Sequence, residues 1–308
     1  MMFGQDNMIM PKSIKWGLFS YALSAYLLAF AVDILASYFI VAYQAALTPI
    51  ILIWGFVRMY TPTFATIIAL KILGKNIILE FSTYFGRIRD HLTLKWYLLS
   101  PLITLLSLGI YILISISFGF FSLTTLIDQI KYLQNILPQE ISQTTLLILI
   151  IFSTIISSYF VGLTLNAAYA LGEEIGWRGF LVNLLLNKFG FLRTCAIIGL
   201  LWGFWHGTAI LFLGHNYQIH RIEGIFLFTI IAVLFTFPHV YVRVVSKSIL
   251  PAASLHGSIN ALWGFTIIVT QTSNNEIIDG LGFLGIVTWL ITASLTVYYG
   301  KRRRTLLQ

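Results

Sequence analysis

The sequence predicts an all-α, polytopic membrane protein of about eight transmembrane helices, with interfacial amphipathic helices between them. Three observations carry that expectation. Apolar residues make up 58% of the 308-residue chain and charged residues only 10%, which is less than half the charged share of an ordinary soluble domain, about 25%. Eight apolar stretches reach the roughly 20 residues that a helix needs to cross a bilayer. The basic residues fall almost entirely on one side of those stretches.

The first fifteen residues are polar, with Lys12 and Lys15 ahead of an apolar run. That run is too long for a signal-peptide core and lacks a small-x-small cleavage site, so it reads as a retained first span. The spans lie at residues 16–40, 45–70, 97–120, 145–171, 194–213, 222–242, 249–270 and 281–299. Asp33 and Arg58 sit inside the first two. A structural ion pair between neighbouring helices is the plain reading of them, and a substrate contact is the alternative. Three connecting stretches are more than turns. Residues 75–95 mix basic positions with Ile77, Ile78, Leu79, Phe81, Tyr84 and Phe85, as an amphipathic segment on the cytoplasmic interface does. Residues 126–137 repeat that pattern on the outer side. Residues 177–189 begin with a corner at Gly179 and continue as a short helix carrying Phe180, Leu181, Leu184 and Leu185 back to the surface. Packing on the membrane surface is the reading for all three.

The Lys and Arg count tests the number of spans. Lys12, Lys15, Lys71, Lys75, Arg87, Arg89, Lys95, Arg178, Lys188, Arg193, Arg243, Lys247, Lys301, Arg302, Arg303 and Arg304 fall on the side of the N-terminus, against Lys131 and Arg221 on the other, with Arg58 inside a span. This asymmetry places both termini in the cytoplasm of an integral membrane protein, expected in the plasma membrane. It also accounts for the net charge of +8 without a nucleic-acid partner; the lipid bilayer is the partner it implies. Cys195 is the single cysteine, which excludes an internal disulfide. The chain divides into N-terminal helices and interfacial segments at 1–144, a core at 145–270, and a last helix with a basic cytoplasmic tail at 271–308.

The core carries the chemistry. Glu173 and Glu174 close a long uncharged run, where each charge near lipid costs about 2.5–3.5 kcal/mol even on the mildest scale. Helix neighbours point about 100° apart, so the two acids serve different purposes. Arg178 is one turn after Glu174 and can pair with it, which leaves Glu173 to face a cavity as a general base or acid. Trp202 and His206 share a face of the fifth span, and His256 and Asn260 share a face of the seventh. Each pair alone is compatible with interhelical hydrogen bonding. By helix rise, His206 and His256 lie roughly 18 Å and 10 Å from the cytoplasmic starts of their spans. The four groups therefore meet in the cytoplasmic half if the fourth helix ends below the surface, with a tilt or later start of the fifth span absorbing the difference.

Glu-Glu-x-x-x-Arg, aromatic-x-x-x-His and His-x-x-x-Asn, in this order on separate spans, resemble the CPBP (Abi) family of intramembrane proteases, which includes the type II CAAX prenyl endopeptidases. The similarity covers about residues 145–270. Trp202 departs from the family's more usual Phe, one aromatic for another. The resemblance implies that Glu173 and His206 activate a water, that His256 and Asn260 stabilise the oxyanion, and that Glu174 and Arg178 hold the geometry. It implies a membrane-associated or lipidated peptide as substrate and a cavity open to the cytoplasmic half. No cofactor is the favoured reading, because a glutamate paired with a histidine can activate water alone. Zinc on Glu173, His206 and His256 is the alternative. A non-catalytic scaffold or immunity protein binding a peptide in the same cavity is the competing function. A transporter is disfavoured, because the two halves lack matching Gly/Pro-interrupted helices.

Overall fold

The structure, a computed structural model, describes residues 12–87, 90–134, 141–272 and 275–302. The expected positions Arg89, Arg303 and Arg304 and the end of the 126–137 segment lie outside the described residues. Among the described residues, fifteen α-helices follow in order: α1 (Lys12–Ala42), α2 (Leu47–Ile72), α3 (Ile77–Phe85), α4 (His91–Leu99), α5 (Pro101–Ser117), α6 (Thr124–Gln134), α7 (Gln143–Leu163), α8 (Leu165–Glu174), α9 (Leu181–Trp205), α10 (Gly207–Leu213), α11 (Arg221–Ser246), α12 (Leu250–Leu262), α13 (Phe265–Ile268), α14 (Asn275–Ile278) and α15 (Phe283–Arg302). A π-helical turn, Ile175–Phe180, joins α8 to α9. Among the described residues there is no strand, only an isolated bridge between Phe121 and Thr270. The protein is all-α and polytopic. Its backbone groups are satisfied within helices, as a bilayer demands. Large apolar side chains such as Phe19, Leu27, Leu52, Leu113, Phe152 and Phe160 are exposed to the surroundings, the lipid-facing surface that such a composition requires.

Among the described residues, seven helical stretches are long and apolar enough to cross a membrane. The seventh expected span is the exception. It is two short helices, α12 and α13, and from Pro251 to Ile259 every residue of α12 is buried. A helix held in the middle of the bundle needs neither full length nor a lipid-facing surface. Of the expected amphipathic stretches, 75–95 appears as α3 and the start of α4, which runs on into the third membrane-crossing stretch, and the described part of 126–137 lies in α6.

The corner expected at Gly179 is not there. A Cβ at that position would lie 2.9 Å from the ring of Tyr84, so Gly179 permits close packing within a continuing helix. The chain turns instead at Gly190, whose φ of 68° lies in the left-handed region open to glycine.

Side-chain contacts fix the two ends of the bundle. Gly17 near the start of α1 packs against Leu73 and Leu184, and Gly86 abuts the carbonyl of Lys247. Ile249 N–H donates to the Tyr84 carbonyl. The start of α1, the end of α2, α3, the Gly190 turn and the end of α11 therefore share one end, which carries most of the Lys and Arg residues. The other end holds the turn before α2, the loop after α10, α13 and α14. Arg178, counted from sequence among the basic loop residues, is instead fully buried.

Candidate active site

Depth is matched by construction. Glu173 lies in α8 and the helical path runs on to Gly190 before α9 returns to His206. Counting from Gly190, the first arm is 17 residues and the second 16, so both side chains stand about 24–26 Å along their arms from the turn. The glutamates are thus mid-helix, and this removes the mismatch in His206 depth that a helix ending at residue 171 creates. His256 is placed the same way. Gly179 packs on Tyr84 and Ile249 bonds to Tyr84; Glu173 is six residues from the first and His256 seven from the second.

Glu173 is 2% exposed and Glu174 fully buried, and the two point to different partners, as helix geometry demands. The indole N–H of Trp202 donates to Glu173 Oε2 at 2.6 Å. Glu174 Oε1 accepts from Arg178 Nη1 at 2.9 Å and contacts His256 Nδ1 at 2.8 Å. The Arg178 guanidinium lies over the Trp202 ring, 4.3 Å from its centroid. Trp202 is therefore bonded to one acid and stacked against the partner of the other. A Phe at this position would have no N–H to give. His206 Nδ1 lies 2.9 Å from the Trp202 carbonyl. A carbonyl only accepts, so Nδ1 carries the proton and Nε2 presents a lone pair.

Glu173, Trp202, His206, His256 and Asn260 line one cavity of about 460 Å³. Glu174 and Arg178 stand behind it. The ion pair expected between Asp33 and Arg58 forms, with Nε 2.9 Å from Oδ1, and Arg58 also lines the cavity and stacks on Trp205 at 3.8 Å. Asn166, His215, Asn216 and Thr266 add to its polar wall. The lining of the cavity does not run toward the end at which α1 begins, as a cavity open to the cytoplasmic half was expected to do. Its wall continues to Trp54, His215, Asn216, Gly264, Ile267 and Leu281, all toward the opposite end. The physical reason is a ring cluster beneath it: Tyr21 sits 5.3 Å from both Trp177 and Phe180, and Trp177 5.9 Å from Trp205.

Sequence reasoning missed His239. It is fully buried on α11, its Nδ1 lies 2.6 Å from the Phe235 carbonyl, and its ring is 5.8 Å from that of His256. Its Nε2 finds no hydrogen-bond partner among the described residues. The signal was available, since a histidine in an apolar span is as conspicuous there as His206. The alternative zinc set of Glu173, His206 and His256 is not among the groups whose donor atoms converge among the described residues. Among the described residues, Glu174, His239 and His256 bring donors within 4.8 Å of one another. That trio fits a dication poorly, because Glu174 Oε1 is already engaged by Arg178, whose charge opposes a metal.

Residues 155–262 match the family model described as type II CAAX prenyl endopeptidase Rce1-like. Every motif from Glu173 to Asn260 falls within the match. No curated protein matches the chain.

Proposed function

We propose that this is an intramembrane protease of the CPBP, Rce1-like family, and that it hydrolyses a peptide bond of a membrane-associated or lipidated substrate in the cavity around Glu173. The carrying observation is that Glu173, His206, His256 and Asn260, from three separate stretches of chain, line that one cavity. Trp202 fixes Glu173 through Oε2, leaving Oε1 to take a proton from water. His206 Nε2 orients the same water through its lone pair. Attack on the scissile carbonyl forms the tetrahedral oxyanion. The Asn260 amide donates to it, and His256, held through Nδ1 by Glu174 Oε1, is the second group placed to stabilise that oxygen. Glu173 then gives its proton to the departing amine as the C–N bond breaks. No step in this sequence requires a metal.

The test is the purified protein in liposomes with membrane-inserted peptides, with new termini read by mass spectrometry. Paired products with a free amine and a free carboxylate support hydrolysis. A peptide that is retained and stays intact supports the scaffold or immunity reading. After exhaustive chelation, with residual metal measured, turnover should be unchanged; loss of turnover restored by zinc would overturn the metal-free mechanism. Trp202→Phe keeps the ring and removes the N–H. Since a hydrogen bond to a charged group is worth about 1.5–3 kcal/mol, turnover should fall roughly tenfold to a hundredfold, and an unchanged rate would reduce Trp202 to a space-filler.

A further inference from the structure

The mouth of the cavity and the basic residues lie at opposite ends of the bundle. On the rim, Asn216, Asn260, Gly264 and Ile267 are exposed and His215 is half-buried. They belong to the loop after α10, the end of α12, and α13 with the residue before it. Away from the rim the cavity is closed by Tyr21, Tyr84, Trp177, Phe180 and Leu181, each at most 3% exposed. A peptide arriving from that side has to unpack a ring cluster. The charge asymmetry runs the other way. Lys71, Lys75, Lys188, Arg243, Lys247 and Lys301 lie at the sealed end, whereas Lys131 on α6 and Arg221 at the start of α11 stand at the mouth end. Short loops rich in Lys and Arg stay cytoplasmic.

We infer that the cavity opens to the extracytoplasmic side, and that its substrate is a peptide segment presented from the outer face of the membrane, not a prenylated C-terminus in the cytoplasm. This rests on the protease reading for the word substrate, but the sidedness stands on geometry and charge alone. The polar rim side chains of His215, Asn216 and Asn260 admit water from that face to a site that hydrolysis requires to be wet.

The experiment is labelling of single cysteines by a membrane-impermeant maleimide in intact cells, normalised to the same protein in detergent. The native Cys195 is buried, so the unaltered protein is the blank. Gln218→Cys and Ile219→Cys report the exposed mouth loop, and Lys75→Cys the sealed end. The expected result is that both loop cysteines label fully in intact cells while Lys75→Cys labels only after permeabilisation. The reverse pattern, or equal labelling of all three in intact cells, overturns the proposal. Labelling needs no turnover, so a failure of sidedness and a failure of the protease assignment are told apart.

Discussion

Glu173→Gln should abolish peptide cleavage and leave the protein folded. The substitution keeps the side chain's size and its acceptor for the Trp202 N–H, 2.6 Å away, but removes the group that takes and returns the proton. General acid–base catalysis alone is worth about a hundredfold to ten-thousandfold. Here one residue performs both transfers, so a loss of at least roughly a thousandfold is expected. The readout is cleavage rate in liposomes beside an unfolding midpoint in detergent. Residual turnover near that of the unaltered protein would remove Glu173 from the mechanism, whatever its place in the cavity.

Glu174→Ala should cost stability instead. Glu174 and Arg178 are both fully buried and paired at 2.9 Å. Removing the acid leaves the guanidinium uncompensated beneath the Trp202 ring, a change that costs about 3–5 kcal/mol. It also frees His256 Nδ1, so activity falls with stability. The paired change Glu174→Leu with Arg178→Met separates the two effects. Replacing both partners of a buried ion pair by apolar side chains is often neutral or stabilising, so the double variant should recover most of the unfolding midpoint while remaining inactive. A double variant as unstable as Glu174→Ala would mean that the pair is not the source of the cost.

Much of this architecture was legible in the residues. The apolar runs and the side on which Lys and Arg fall are properties of sequence, because the bilayer sorts them one residue at a time. That Glu173 and Glu174 face different partners followed from helix geometry, and the Glu174–Arg178 pair from its four-residue spacing. What was not legible depended on packing. Gly179 and Gly190 look alike in sequence, and only the Tyr84 ring against the first shows which of them turns the chain. Because that turn was placed too early, the glutamates were put at a helix end rather than in mid-helix. The direction of the cavity was hidden for a related reason. Tyr21 and Trp177 are far apart in the chain, and no local pattern announces that they meet to seal one end. The bond from Trp202 to Glu173 was hidden in a substitution of one aromatic for another.

Hydrolysis in this cavity requires that Glu173, His206, His256 and Asn260 surround the scissile peptide bond. An experimental structure of the Glu173→Gln variant, trapped with an uncut membrane peptide, tests it most directly. The expected result is a backbone carbonyl within hydrogen-bond reach of His256 and Asn260, with the substituted amide side chain on the other side of the same carbon. A peptide bound elsewhere on the bundle, with this cavity holding none of it, would contradict the account.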